Sequence, residues 1–398
     1  MSELRALVEA ARQLREKQEP FLSATVMRVR GSGYRRSGAR MLASQDEWLA
    51  GSISGGCLER DVMTKGFWRT RSERVLLVTY DEAEDSLDER SGSGCQGIVD
   101  VLLEQHLPGA ASQADVFVAA DRCIREERTA AVVTVFRSTR RDLPVGARLV
   151  AYGGELQGTH ATHESAFVRA GLADEAQAAL ATCSQPYIAQ RASADGEVEV
   201  LVECIVPPPH LFVFGSGHDV LPLVTLAKNL GWSVSVWDAL PRTAARERLR
   251  VADHYLTGSL EDAIARLSRS VRSVAVVMGH HLEQDRASLA ALLPSSSRYV
   301  GVLGPRARTE QMLADCRAAG VIADQASLAR VYAPVGLQLG AQTPAEIALA
   351  IVAEAQAALT QSEVSGLRTQ PGSIHRRAAL AADAPAPSAA LALELSTS

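Results

Sequence analysis

Leu211-Phe212-Val213-Phe214-Gly215-Ser216-Gly217-His218-Asp219-Val220 decides the architecture of the second half of this chain. Four consecutive apolar residues suit a strand buried on both faces, the glycines suit a tight turn, and 221–230 continues as an apolar helix. Strand, Gly-x-Gly turn and helix together open a Rossmann-like parallel sheet. Downstream, 232–237, 273–278 and 299–303 read as further short apolar strands. Thr343-Pro344-Ala345-Glu346 is a capped start for a helix over 345–359. Pro207-Pro208-Pro209 cannot continue an element and marks a linker before this region.

Upstream the rhythm changes. Leu4, Leu7, Val8, Ala11 and Leu14 recur at helical spacing. Strand-like runs follow at 21–29, 39–43, 47–50, 74–80 and 98–103, with a helix over 58–68. Strands with few intervening helices predict a mixed α+β domain over 1–106. Residues 107–207 carry strand candidates at 129–136, 147–152, 187–191 and 197–206 and a single helix over 164–182. That stretch either completes the first sheet or forms a small middle domain. The expected fold is therefore α/β, a mixed α+β N-terminal domain followed by a Rossmann-like domain over 208–360. Residues 361–398, rich in Ala and Pro, read as a disordered tail.

The composition sets limits on function. The 398 residues are 47% hydrophobic and 22% charged, as in ordinary globular proteins. A net charge of −5 gives no reason to expect nucleic acid as a partner. No apolar run reaches the ~20 residues that span a bilayer, and no secretory signal is visible at the start, so the cytoplasm is the expected compartment. Six cysteines lie far apart with no Cys-x-x-Cys pair, against a zinc ribbon or a thioredoxin-type site. His160/His163 and His280/His281 lack a third ligand at metal spacing and read as loop histidines.

Two cysteines sit inside glycine clusters, Gly51-Ser52-Ile53-Ser54-Gly55-Gly56-Cys57-Leu58-Glu59 and Gly92-Ser93-Gly94-Cys95-Gln96-Gly97. Glycine admits a ligand close to the backbone and leaves the thiol unshielded, whereas a core cysteine is flanked by bulky residues. Arg28, Arg30, Arg35, Arg36 and Arg40 surround Gly31-Ser32-Gly33, a pattern suited to a phosphate. Glu59 is positioned either to meet a ligand or to serve as the first-turn acid of the following helix. In the Rossmann-like half, Gly215 and Gly217 form the turn, and Asp238 ends the next strand where a ribose hydroxyl would bind. Val220 replaces the third small residue, and the Asp219 carboxylate occupies the positive helix end that would hold pyrophosphate.

These motifs resemble the XdhC/CoxI family, accessory proteins of xanthine dehydrogenase and related molybdenum hydroxylases. The likeness spans most of residues 10–358. It rests on the Cys57 loop, Gly94-Cys95, Gly215-Ser216-Gly217-His218, His280 with Asp285, and Tyr299-Val300-Gly301-Val302-Leu303-Gly304 with Arg306. It also rests on Pro334 to Glu346 near the end of the Rossmann-like region. The resemblance implies a protein that binds molybdenum cofactor (molybdopterin) and supports its sulfuration with a cysteine desulfurase. Such a protein then delivers the cofactor to an apo molybdenum hydroxylase. It is an accessory factor more than a catalyst, and a homodimer is left open.

The cofactor-binding residues expected on this basis are Arg35, Arg36, Gly51, Ser52, Ser54, Gly55, Gly56, Cys57, Glu59, Gly94, Cys95, Gly215, Gly217, His218, Asp238 and His280. Cys57 is expected either to contact molybdenum or to line its site. His218 and His280 are expected to line a pocket between the two halves. Gln96, Gln338, Asp219 and Val220 depart from the family pattern. Two alternatives stand beside this reading: an NAD(P)-dependent oxidoreductase built on the Rossmann-like half, and a docking chaperone without cofactor. The carboxylate at Asp219 predicts weak or absent binding of NAD or NADP.

Overall fold

The computed structural model describes residues 2–31, 34–81, 97–109, 111–183, 185–321, 324–366 and 368. The first 205 residues are two sheets of the same design. Helix α1 (Glu3–Glu16) is capped by the Ser2 hydroxyl and buries Leu7, Val8, Ala11 and Leu14, the stripe its periodicity predicts. It leads into β1 (Phe21–Gly31), β2 (Arg40–Ala43), β3 (Trp48–Gly51), α2 (Cys57–Arg69), β4 (Val75–Asp81) and β5 (Gly97–His106). All pairings are antiparallel, in the order β3-β2-β1-β5-β4.

The chain then repeats itself: α3 (Val116–Glu126), β6 (Ala130–Ser138), β7 (Arg148–Tyr152), β8 (Glu155–Gly158), α4 (Ala161–Arg169), α5 (Leu172–Thr182), β9 (Tyr187–Ser193) and β10 (Gly196–Ile205). Their order, β8-β7-β6-β10-β9, is the first sheet's order over again. The expected single helix over 164–182 is two helices, broken at Gly171, whose φ of +67° suits glycine. The middle stretch makes its own sheet and does not extend the first.

The repeat extends to single residues. The β1–β5 register skips Met27, and the β6–β10 register skips Phe136. These two bulge residues meet Leu102 and Leu201 in one buried cluster between the sheets. Around that cluster the ion pairs are reciprocal. Arg28 of β1 bonds Glu199 of β10 at 2.6 Å, and Arg137 of β6 bonds Asp100 of β5 at 3.2 Å. Arg40 of β2 pairs with Glu203, and Arg148 of β7 pairs with Glu104. Arg40 lies opposite Thr25 and Arg148 opposite Thr134, so the two arginines hold matching places in their sheets. Helices α1 and α3 share a further core with Phe21, Val132 and Val150. On the far side of each sheet, α2 covers the first and α4 and α5 cover the second.

After Pro207-Pro208-Pro209 the parallel sheet begins. Its elements are β11 (His210–Phe214), α6 (Val220–Asn229), β12 (Ser233–Trp237), α7 (Thr243–Arg248), β13 (His254–Leu256), α8 (Leu260–Leu267) and β14 (Ser273–Val277). They continue through α9 (Leu282–Leu292), β15 (Tyr299–Val302), α10 (Arg306–Ala318), α11 (Gln325–Ala329), β16 (Val331–Tyr332) and α12 (Pro344–Thr360). The strand order β13-β12-β11-β14-β15-β16 is that of a dinucleotide-binding Rossmann sheet. Apolar cores lie on both faces, as the uninterrupted apolar strands require. At α12 the Thr343 hydroxyl accepts from Glu346 N while the Glu346 carboxylate accepts from Thr343 N, the capping box read from the sequence.

The N-terminal half attaches where the parallel strands begin. Arg5 bonds Ser233 Oγ at 2.6 Å, Glu127 meets His210 Nδ1 at 3.0 Å, and Arg272 donates to the Pro207 carbonyl at 3.2 Å. The strands of β11, β12 and β14 run parallel, so their ligand-binding ends point away from this junction.

Candidate functional site

The Cys57 loop is built by one buried carboxylate. Glu59 is 1% exposed. Its Oε1 accepts from Ile53 N at 2.8 Å and Ser54 N at 2.7 Å. Its Oε2 accepts from Gly56 N at 3.0 Å and from the Ser54 hydroxyl. Burial opposes the charge, but the Ser54 hydroxyl and the backbone N–H groups outweigh it and hold the Glu59 carboxyl below its ordinary value. Every lone pair of Glu59 is in use, so this residue shapes the loop and does not face a ligand. Ser54 is equally committed: its hydroxyl also accepts from Gly56 N and Leu58 N.

What faces outward is the glycine pair and the thiol. A side chain at Gly56 would meet nothing within 4 Å, and one at Gly55 would only graze the Tyr34 ring at 4.0 Å. Gly56 has φ +121°, so glycine is demanded by the backbone, and the space above it is left open. Cys57 is the first residue of α2 and its thiol is exposed. Ser52 precedes this floor and is half-buried. Gly51 has a different reason: a side chain there would lie 2.1 Å from the Arg40 carbonyl oxygen, within the β2–β3 pairing.

The arginine ring is thinner than its spacing suggests. Arg28 and Arg40 belong to the ion-pair layer between the sheets. Arg35 pairs with Glu3, and Arg36 donates to the neutral side-chain amide oxygen of Gln185 at 2.9 Å. Arg30 lies 3.6 Å from Asp100 and stays largely open. Of these five arginines, Arg36 has a neutral partner and Arg30 the longest ion pair, so these two keep most of their charge open. No sequence pattern marked the partners Glu199 and Glu203, which lie in the other sheet. Gly94 and Cys95 lie outside the described residues.

The equivalent loop of the second sheet runs from Gly158 to Glu164, two residues shorter than the run from Gly51 to Glu59. Glu164 again reaches a loop N–H, that of Gly158, at 3.4 Å. The glycine pair and the cysteine have no counterpart there. His160 and His163 occupy this turn with ring centroids 4.9 Å apart. Among the described residues no group of three or more potential metal ligands occurs.

At the Rossmann crevice, Gly215 packs against the carbonyl of Met278, so the turns after β11 and β14 touch. Gly217 is roofed: a side chain there would lie 2.3 Å from Asp219 Oδ1 and 2.7 Å from His280 Nε2. Asp219 and His280 therefore cover the ground where pyrophosphate would rest. Asp238 is engaged on both oxygens, by Leu240 N at 3.0 Å and by the Tyr255 hydroxyl at 2.5 Å. Burial, and then Asp238, push the Tyr255 hydroxyl up to about 12, so it stays a donor. Asp285 is clamped by Arg308 at 2.6 Å, and burial raises its pKa. It braces Gly279 and the turn that carries His280. His218 and His280 are exposed at this end of the sheet. Among the described residues no hydrogen bond or ion pair joins these two histidines to the N-terminal half, whose contacts lie at the opposite ends of the strands. Among the described residues no hydrogen bond or ion pair links the Cys57 loop to the 215–219 turn.

A Rossmann sheet with a roofed nucleotide turn, joined to a duplicated antiparallel unit with an open loop at Cys57, defines a two-part α/β protein. Residues 211–355 match the XdhC Rossmann domain and residues 14–81 match the XdhC and CoxI family, together more than half of the chain. This chain belongs to the XdhC/CoxI family. It is 29% identical over 348 residues to a Bacillus subtilis protein named as a probable subunit of xanthine dehydrogenase, covering 86% of this chain and 94% of that one. A crystal structure titled as a xanthine dehydrogenase from Bacillus halodurans superposes with a TM-score of 0.68 at 27% identity, covering 93% of this chain and 98% of that one. The uncharacterized Escherichia coli protein YqeB is 28% identical over 159 residues, 40% of this chain and 29% of that one.

Proposed function

We propose that this chain is an accessory protein of a xanthine dehydrogenase-type molybdenum hydroxylase. In this reading it binds molybdenum cofactor as cargo, protects it during sulfuration by a cysteine desulfurase, and hands it to the apo-hydroxylase. The observation that carries the reading is the Cys57 loop: an exposed thiol beside an open glycine floor, fixed from below by Glu59. Family membership and the named relatives support the hydroxylase as the partner.

The donor set fits this cargo. A thiol is a soft donor suited to molybdenum with sulfur ligands, Gly55 and Gly56 admit a flat ring, and Arg36 and Arg30 offer charge to a phosphate. Cys57 either contacts the metal or lines its exchangeable position. Because the second sheet's loop lacks the thiol and the glycine pair, one cofactor per chain is the expected limit. The test is to purify the protein from a molybdate-replete host and measure molybdenum together with the fluorescence of the oxidised pterin. Both at one per chain support the reading. A protein free of both, from a host whose hydroxylases are active, supports the docking chaperone instead.

The oxidoreductase alternative has the strand order and the place of Asp238 in its favour. Against it stand Asp219 and His280 above Gly217 and the Tyr255 hydroxyl on Asp238.

A further inference from the structure

Behind the arginine turn lies a second pair of thiols that the cofactor reading does not use. Cys183 ends α5 in the left-handed conformation, φ +44°, and is exposed. Cys204, on β10, is partly buried under the same helix end. Both residues converge on one carbonyl oxygen, that of Ala179: the Cys183 backbone N lies 2.8 Å from it and Cys204 Sγ 3.1 Å. Cys183 Sγ turns to the next carbonyl, Leu180 O, at 3.6 Å. Two free thiols gathered on one helix end, one open and one shielded, are a dithiol site.

The surroundings give the site a consequence. Gln185, two residues after Cys183, holds Arg36 at 2.9 Å. A side chain at Gly38, in the same arginine turn, would sit 3.6 Å from Pro186 and 2.9 Å from Glu203, the neighbour of Cys204. Glu203 on the strand carrying Cys204, and Gln185 and Pro186 beyond Cys183, thus both meet residues 36–40.

We propose that Cys183 and Cys204 form a reversible disulfide that fixes the end of α5 to β10 and with it the contacts that Gln185 and Pro186 make to residues 36–40. The oxidant is a low-molecular-weight disulfide. The exposed Cys183, as thiolate, attacks one sulfur of that disulfide and releases one thiol. Cys204 then attacks the Cys183 sulfur of the mixed disulfide and releases the second thiol. Two protein thiols are oxidised, one external disulfide is reduced, and the two protons end on the released thiols. Burial, and then the neighbouring Cys183, push the Cys204 thiol up to about 12, so Cys183 is the thiol that attacks first and Cys204 gives up its proton only in the resolving step. Groups facing the pair include Glu203 and Cys123 beside Cys204, and Arg272 beside Cys183. The proposal does not depend on cofactor binding.

The experiment uses the full chain, reduced and then equilibrated with oxidised glutathione, followed by thiol titration and non-reducing peptide mapping. The expected result is loss of two thiols per chain and a linked peptide pair carrying Cys183 and Cys204, reversed by dithiothreitol. Cys183→Ser and Cys204→Ser each abolish that pair, and Cys57→Ser retains it. If Cys183 accumulates only as the glutathione mixed disulfide, or if the linked peptides contain other cysteines, the proposal is overturned.

Discussion

At the scale of the residue, the thiol and its support divide the work. Cys57 has no partner that fixes its side chain among the described residues, and Glu59 has no lone pair left over. Removing Glu59 strands the Ile53 and Ser54 N–H groups and the Ser54 hydroxyl proton, so Glu59→Ala should lower unfolding free energy by about 2 kcal/mol. Urea unfolding measures this, and a loss below about 0.5 kcal/mol contradicts the assigned role. The pH dependence has a definite sign. Since the folded carboxyl is held below its ordinary value, its contribution is complete above the ordinary carboxylate range and fades as pH falls through the depressed value. The stability gap between wild type and Glu59→Gln should therefore narrow in acid. A gap unchanged from neutral pH to pH about 3 counts against the account.

At the scale of the element, local rules and long-range pairing contribute differently to what the sequence shows. Helix α1, the capping box of α12 and the apolar strands of the parallel sheet are legible because their signals are local: periodicity, a Thr-Pro-x-Glu start, uninterrupted apolar runs. The break at Gly171 is hidden because alanine-rich flanks on both sides favour helix equally. Arg28 and Arg40 read as part of an anion site because their acidic partners, Glu199 and Glu203, lie over 160 residues away. Their true setting is a buried layer between two like sheets. Arg40 and Glu203 are 11% and 5% exposed, and Arg148 and Glu104 are 8% and 7%. Truncating either arginine leaves a buried carboxylate unpaired, so Arg40→Ala and Arg148→Ala should each cost about 3 kcal/mol. Similar losses for both in urea unfolding reflect their matching positions. A cost below about 1 kcal/mol for either would mean the pair behaves as a surface contact.

At the scale of the whole molecule, the described residues offer two ligand-facing regions of unequal character. The Rossmann crevice was legible in its order and position from Gly215 to Asp238, but its roof came from Asp219 and from His280, which approaches from another strand. Sequence alone marked Asp219 as an obstacle and could not place His280 beside it. The halves join at the N-terminal ends of the strands, so the crevice stands apart from the junction. Calorimetric titration with NAD and NADP should show no binding at low micromolar concentration. Tight binding that is lost in Gly217→Val would return the oxidoreductase to first place. No described helix is long and apolar enough to cross a membrane.

The central claim is that the Cys57 loop holds molybdenum cofactor. The most direct measurement is molybdenum per chain, by elemental analysis, in wild type and Cys57→Ala purified side by side from a molybdate-replete host. The account predicts close to one molybdenum per wild-type chain and at least a tenfold loss in Cys57→Ala, with unchanged circular dichroism and unfolding midpoint. Equal molybdenum in the two proteins contradicts it.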